Sequence, residues 1–211
     1  MSSEAAQADH EAGGHPDGHL HRLVFLTDGV FAIAITLMAI EIRPPHDWDG
    51  VAAHLFATMW PTLLAYALSF AVIGVYWLSH RRTFARLQRA DGVLSVLNFA
   101  GLGLIALIPA ATGLLYENGS PDAFLIYIGL VAAIGAANAV AWAYAAFIGR
   151  LTPPGLPRGV KVYVLLSNGL LPAAICWLSI AAIAGRQPLA WLGVAALSAV
   201  AVIGPRFLPR R

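Results

Sequence analysis

The chain has 211 residues, of which 59% are hydrophobic and only 11% are charged, and its formal net charge is +2. A soluble domain carries about a quarter charged residues, so this composition excludes an ordinary soluble globular protein. A single cysteine, Cys176, excludes an intrachain disulfide and a multi-cysteine metal site. Because a chain in lipid must satisfy its backbone hydrogen bonds internally, we expect an all-α, polytopic membrane protein.

The first 21 residues are polar and predict a disordered cytoplasmic tail. The tail contains scattered histidines, at positions His10, His15, His19 and His21. Their irregular spacing among glycine, proline and acidic residues favours a solvated tail over a metal site. No basic start precedes an apolar run here, so a cleavable signal peptide is not predicted.

Six apolar segments follow, and each is close to the length of about 20 residues that spans a bilayer as a helix. They cover residues 22–42, 60–80, 93–116, 123–148, 160–184 and 189–204, the last being the shortest. Pro109 and Pro172 lie inside the third and fifth segments, where we expect kinks. The sequence thus predicts a six-helix transmembrane domain over residues 22–204 and a basic cytoplasmic carboxyl terminus over residues 205–211.

Basic residues are confined almost entirely to alternate connections between these segments. Those connections and the two ends carry Arg22, Arg81, Arg82, Arg86, Arg89, Arg150, Arg158, Lys161, Arg206, Arg210 and Arg211. The other connections hold only Arg43 and Arg186. Since basic residues mark the cytoplasmic side, both termini are predicted to be cytoplasmic. The run from Arg81 to Arg89 is therefore interpreted as a topology signal, and no nucleic-acid partner is predicted.

The first apolar segment has two chemically different faces. At about 100° of rotation per residue, one face carries a seam of branched aliphatic side chains flanked by Thr36, namely Leu26, Ile33, Leu37 and Ile40. Asp28 points about 140° away from Ile33 on the same helical wheel. A carboxylate at that depth is costly and normally faces protein or water, so we expect Asp28 to be a structural polar lock inside the bundle.

Two other polar side chains lie at the depth of Asp28 in the predicted spans. His80 ends the second segment beside Trp77, and Asn98 lies one to two turns into the third. We expect Asp28, His80 and Asn98 to meet in one layer. Hydrogen bonds from His80, Asn98 or Arg22 would then stabilise the carboxylate.

The first segment resembles the signature of the bacterial branch of the lysosomal-type potassium channel family, transmembrane protein 175. Arg22, Asp28, the run from Val30 to Leu37 and the ending Glu41-Ile42 match that signature as they stand. Leu26 replaces the family's Phe, and Thr27 replaces its Ser while keeping the hydroxyl. Later stretches also resemble the family, namely Trp77-Leu-Ser-His80 with Phe84, Leu97-Asn98 and Ile108-Pro109-Ala-Ala-Thr112. The last three segments match only in hydropathy.

The resemblance implies a potassium-selective cation channel in a bacterial inner membrane, built as a homotetramer of six-helix subunits. It implies that the first helix of each subunit lines the pore, with hydrophobic rings of Ile33, Leu37 and Ile40 and with Thr36 beside the first ring. It also implies a polar network made of Arg22, Thr27, Asp28, Trp77, His80 and Asn98. Potassium is the permeant ion, and no cofactor or metal is expected.

Two other classes of function remain open at this stage. A proton-coupled secondary transporter would use Asp28 and His80 as proton carriers, although no inverted repeat or pair of broken helices supports it. An intramembrane enzyme would need a nucleophile or metal-ligand spacing beside His80, and the sequence shows neither. We therefore expect that the chain is not an enzyme.

Overall fold

The computed structural model describes residues 16–40, 42–45, 48–118 and 120–183, and this part of the chain is helical without a strand. We number its α-helices in chain order as α1 (Pro16–Ile40), α2 (Ala52–Phe84), α3 (Gly92–Ile105), α4 (Ile108–Asn118), α5 (Pro121–Ala143) and α6 (Arg158–Ile183). A π-helix, Tyr144–Ile148, continues α5. The predicted all-α class is confirmed.

Four helical stretches of the described chain are long and apolar enough to cross a membrane. They are Gly18–Ile40, Ala52–Phe84, Gly92–Tyr116 and Pro121–Ile148, which correspond to the first four predicted segments. The fifth predicted segment forms α6. The sixth segment, the carboxyl terminus, Glu41 and most of the amino-terminal tail lie outside the described residues, so the count of six spans stays a prediction.

The first two helices begin earlier in the chain than the sequence predicted. Helix α1 begins at Pro16, so residues 16–21, which the sequence analysis assigned to the disordered tail, belong to the first helix. Helix α2 begins at Ala52, where the Asp49 side chain accepts a hydrogen bond of 2.9 Å from the Val51 amide. The starts differ because a run of apolar residues marks the part of a helix that suits lipid. The helix itself also includes polar residues that precede this run.

The third predicted span is interrupted next to Pro109. Helix α3 ends at Ile105, and α4 begins at Ile108, so that Pro109 stands in the first turn of a new helix. Proline has no amide hydrogen to donate, and its ring would collide with the carbonyl four residues earlier, which here belongs to Ile105. The predicted kink is thus a break between two helices.

The helices enclose two hydrophobic clusters. Helix α1 contributes Phe31, Ala34 and Met38 to the first cluster, which also contains buried residues of α2, α3, α4 and α5. The second cluster lies around Trp142 and Leu94 and includes Leu23 of α1 and Val160 of α6. One face of α1 thus supplies both clusters, and its other face is exposed in the described part of the chain.

Helices α5 and α6 form the most extensive helix–helix contact of the bundle. They approach so closely at Gly135 that an added Cβ atom would lie 2.2 Å from Cγ of Pro172. Pro172, predicted to kink its span, therefore packs with its ring directly against the backbone of α5. A residue with any side chain at position 135 would force the two helices apart.

The basic connections meet at one end of the bundle. The Gln88 amide, after α2, donates a hydrogen bond of 2.9 Å to the Leu151 carbonyl, before α6. Arg81 and Gln88 also line a surface hollow with His21 of α1. The amino-terminal half of α1, the α2–α3 connection and the α5–α6 connection are thus on the same side, as the loop charges predicted.

Candidate functional site

A buried chain of three polar side chains connects α1, α2 and α3 near this basic end. The Asn98 amide nitrogen donates to Thr27 Oγ1 at 2.9 Å, and its carbonyl oxygen lies 2.8 Å from His80 Nε2. Because the amide oxygen of Asn98 only accepts, Nε2 of His80 must carry the proton. The Thr27 hydroxyl in turn donates to the Leu23 carbonyl at 2.8 Å. The predicted meeting of His80 with Asn98 is therefore present, and Thr27 completes the chain.

Aromatic rings hold the imidazole of His80 in place. The ring stacks on Phe84 with a centroid distance of 3.9 Å and an interplanar angle of 21°. The ring of Phe31, from the signature run of α1, is tilted against the imidazole, with 6.1 Å between the two ring centroids. This packing buries His80 to 7% exposure, so its hydrogen bond to Asn98 fixes the side-chain orientation.

Asp28 differs from its predicted environment. We expected a buried carboxylate that accepts hydrogen bonds from His80, Asn98 or Arg22. In the single subunit Asp28 is exposed instead, and its carboxylate accepts a hydrogen bond of 2.8 Å from the Trp77 indole nitrogen. Thr27 and Asp28 are neighbours in sequence, so about 100° of helix rotation separates them, and only Thr27 faces α3.

The two ends of the predicted polar network also differ. The Arg81 guanidinium lies over the Trp77 ring, 5.5 Å from its centroid. This is the same indole whose nitrogen donates to Asp28. Arg22 is exposed and makes no hydrogen bond or ion pair with the described part of the chain. Within the described chain, the direct contacts of the predicted network thus form two sets, Thr27–Asn98–His80 inside and Asp28–Trp77–Arg81 at the surface, with no hydrogen bond between Asp28 and His80.

The aliphatic seam of α1 is exposed in the part of the subunit that the structure describes. Its members are exposed, with Leu26 at 40%, Ile33 at 59%, Leu37 at 44% and Ile40 at 66%. Thr36 is exposed as well, and its hydroxyl donates to the Ile33 carbonyl at 2.9 Å. A branched apolar face on a membrane-spanning helix has three possible neighbours: lipid, another subunit or a pore.

Sequence reasoning missed two further polar groups between helices. The Ser69 hydroxyl oxygen lies 2.9 Å from the Tyr127 hydroxyl oxygen and accepts a hydrogen bond of 2.8 Å from the Thr112 hydroxyl. The Ser79 hydroxyl donates a hydrogen bond of 2.6 Å to the side-chain amide oxygen, Oδ1, of Asn168. Each of these residues interrupts an apolar run, which was a usable signal, but hydropathy gives no pairing between distant runs.

The Asn98→Ala substitution is expected to destabilise the subunit by about 1–3 kcal/mol, the cost of an unsatisfied buried polar group. It removes the acceptor of the buried His80 imidazole, whereas Thr27 loses one partner and keeps its hydrogen bond to the Leu23 carbonyl. Thermal unfolding in detergent measures this loss. Ser95→Ala, one turn away on the same helix and bonded at its exposed side to His19, is the control. Equal unfolding temperatures for the two variants would contradict the role of Asn98.

Comparison with known proteins identifies the family of this chain. A family model described as the endosomal/lysosomal potassium channel TMEM175 matches residues 22–109. A potassium channel of Streptomyces collinus is 34% identical over 139 residues, which cover 63% of this chain and 68% of that protein. The chain belongs to the TMEM175 family. The predicted resemblance is confirmed, and the family is one of ion channels and not of enzymes.

Further TMEM175 relatives extend the match. A potassium channel of Chamaesiphon minutus is 36% identical over 138 residues, covering 62% of this chain and 68% of that protein. The mouse protein, named an endosomal/lysosomal proton channel, is 26% identical over 160 residues, 73% of this chain and 32% of that protein. The crystal structure of a lysosomal potassium-selective channel TMEM175 homologue from Chamaesiphon minutus superimposes with a TM-score of 0.61 at 26% identity, covering 90% of this chain and 98% of that one.

The segment matched to the TMEM175 model, residues 22–109, contains every predicted site residue. It includes the seam residues Ile33, Thr36, Leu37 and Ile40, and the polar residues Arg22, Thr27, Asp28, Trp77, His80 and Asn98. Helices α5 and α6 lie beyond it, so their close crossing and their polar contacts belong to the part of the chain that the sequence signature does not describe.

Proposed function

We propose that this chain is the subunit of a potassium-selective channel and that the exposed seam of α1 lines its pore. The observation that carries the proposal is that Ile33, Leu37 and Ile40 are exposed together while the opposite face of α1 packs the subunit. The bacterial relatives named potassium channels, and the channel structure with the same fold, support it.

One subunit cannot enclose a pore, so the proposal requires assembly of several copies around a shared axis. We propose a homotetramer in which each seam residue is repeated four times as a ring. Branched apolar rings resist hydration, so an ion must shed water to pass, and the narrow dry stretch then sets the barrier. Thr36 places a hydroxyl beside the Ile33 ring, where it offers an oxygen to a partly dehydrated ion.

Potassium flux into liposomes that contain the purified protein tests this function. A potassium gradient should drive uptake in these liposomes and none in protein-free ones, and sodium should be carried more slowly. The proton-coupled transporter that uses Asp28 and His80 makes the opposite prediction: flux would need a proton gradient and would stop without it. Within the described chain, Asp28 bonds Trp77 and His80 bonds Asn98, so no direct hydrogen bond joins the two groups.

We propose that the protein lies in the bacterial inner membrane with both termini in the cytoplasm. The basic connections at one end of the bundle support this orientation. A reporter fused after residue 118 should indicate a periplasmic location. Reporters fused after residues 85 and 211 should indicate a cytoplasmic location. A periplasmic reporter signal after residue 211 would contradict the six-span topology.

A further inference from the structure

A hollow of about 570 Å³ opens at the basic end of the bundle, between the π-helix and the start of α6. Its lining includes Ala146, Phe147, Arg150, Thr152, Arg158 and Lys161. All of these residues follow residue 109, so the hollow lies outside the segment that the family model matches.

Thr152 provides the first observation that points to a ligand. The residue is 5% exposed, and its hydroxyl oxygen has no hydrogen-bond partner. Buried polar groups in native proteins are almost always bonded, so an unpartnered one needs a particular explanation. A hydroxyl both donates and accepts, which suits an oxygen-rich partner entering the hollow.

Three cationic side chains supply the second observation. Arg150, Arg158 and Lys161 line the same hollow, and none of them forms a salt bridge with a carboxylate of the described chain. The Lys161 ammonium donates to the Ala146 carbonyl at 3.1 Å and keeps two further donors. Arg158 is the first residue of α6, a helix of 26 residues whose positive dipole end adds to the field.

The backbone holds these groups together at a tight turn. The π-helix ends with the Gly149 amide bonded to the Tyr144 carbonyl at 2.8 Å, and the Leu151 amide then bonds the Ala145 carbonyl at 2.9 Å. Arg150, between them, adopts a positive φ of 50°. This turn brings Arg150 and Thr152 back over the start of α6.

We propose that this hollow binds the phosphate-bearing headgroup of an anionic phospholipid. Guanidinium and ammonium donors recognise phosphate oxygens, and the Thr152 hydroxyl gains a partner when one arrives. The source is a lipid because Phe147 and Ile148, at 41% and 73% exposure, flank the cationic groups with an apolar surface at the same end of the bundle. Basic pockets between membrane helices are suited to such headgroups.

The proposal is tested by lipid-dependent thermal unfolding of the purified full-length protein in neutral detergent. Added phosphatidylglycerol should raise the unfolding midpoint, and phosphatidylcholine should not. Arg158→Gln should weaken the apparent affinity for phosphatidylglycerol about tenfold, because a charge-assisted hydrogen bond is lost. Arg89→Gln removes the same charge from an exposed residue at the same end of the bundle, outside the hollow, and should leave the affinity unchanged.

Thr152→Val separates ligand binding from folding. The substitution keeps the shape of the side chain and removes the unpartnered hydroxyl, so the lipid-free protein should unfold at the same temperature or higher. Added phosphatidylglycerol should nevertheless raise the unfolding midpoint of this variant by less than it raises that of the unmodified protein.

Two outcomes would overturn the proposal. Equal phosphatidylglycerol affinities for the unmodified protein, Arg158→Gln and Thr152→Val would show that the hollow is not the binding site. A midpoint raised as much by inorganic phosphate as by phosphatidylglycerol would show that the ligand is a soluble phosphate and not a lipid.

Discussion

Replacing Ile33 by asparagine is expected to raise potassium conductance about tenfold and to let sodium compete with potassium. If Ile33 forms a ring in the pore, four amides then replace four branched apolar side chains at one level. Water enters a polar ring more readily, and a barrier lowered by about 1.4 kcal/mol corresponds to a tenfold faster passage. Single-channel current in planar bilayers measures the conductance, and the reversal potential in mixed salts measures the selectivity.

Ile126→Asn is the matched control for this experiment. Ile126 lies on α5 with 56% exposure, close to the 59% of Ile33, so both positions lose the same side chain from an equally open surface. The control should keep the conductance and selectivity of the unmodified channel. If Ile33→Asn leaves both quantities unchanged while the unmodified protein conducts, then a helix other than α1 lines the pore.

Replacing Gly135 by alanine is expected to destabilise the subunit by at least about 1–3 kcal/mol, the usual cost of overpacking a well-packed interior. The new Cβ would lie 2.2 Å and 2.5 Å from two ring carbons of Pro172 and 3.2 Å from the Asn168 carbonyl oxygen. Neither the proline ring nor the backbone of α6 can move aside without shifting the helix. The variant should therefore unfold at a lower temperature in detergent.

Gly129→Ala tests whether the effect comes from this contact. Gly129 lies on the same helix, and an added Cβ there would have no neighbour within 4 Å. Alanine is the better helix former by roughly 0.5–1 kcal/mol, so this variant should be as stable as the unmodified protein or more so. Equal losses for the two variants would contradict the close crossing of α5 and α6.

The sequence predicted those features that depend on one helix at a time. The wheel separated the seam of Ile33 and Leu37 from the packed face of α1 because helical periodicity is regular. The break beside Pro109 was predictable because proline acts on its own helix. The predicted site residues all lie in residues 22–109, the segment that carries the family signature, so they stand out from the sequence alone.

Features that depend on the rotation of one helix against another were not predictable. Depth alone suggested that His80 or Asn98 would bond Asp28, but the partner is Trp77, since Asp28 and Thr27 point in different directions from α1. The close approach of Gly135 to Pro172 joins residues far apart in sequence, within runs of similar hydropathy. The hollow around Thr152 depends on a π-helix and a turn at Arg150, for which the sequence carries no clear signal.

The central claim, that ions pass along the exposed seam of α1, is tested most directly by cysteine accessibility during potassium flux. The native cysteine, Cys176, is first replaced by alanine, and Ile40→Cys or Ile126→Cys is added to that background. A charged thiol reagent stays out of hydrocarbon and reacts only where water reaches. We predict that the reagent strongly reduces potassium flux through the Ile40→Cys channel and leaves the Ile126→Cys channel unaffected. Undiminished flux through Ile40→Cys, together with inhibition of Ile126→Cys, would contradict a pore lined by the first helix.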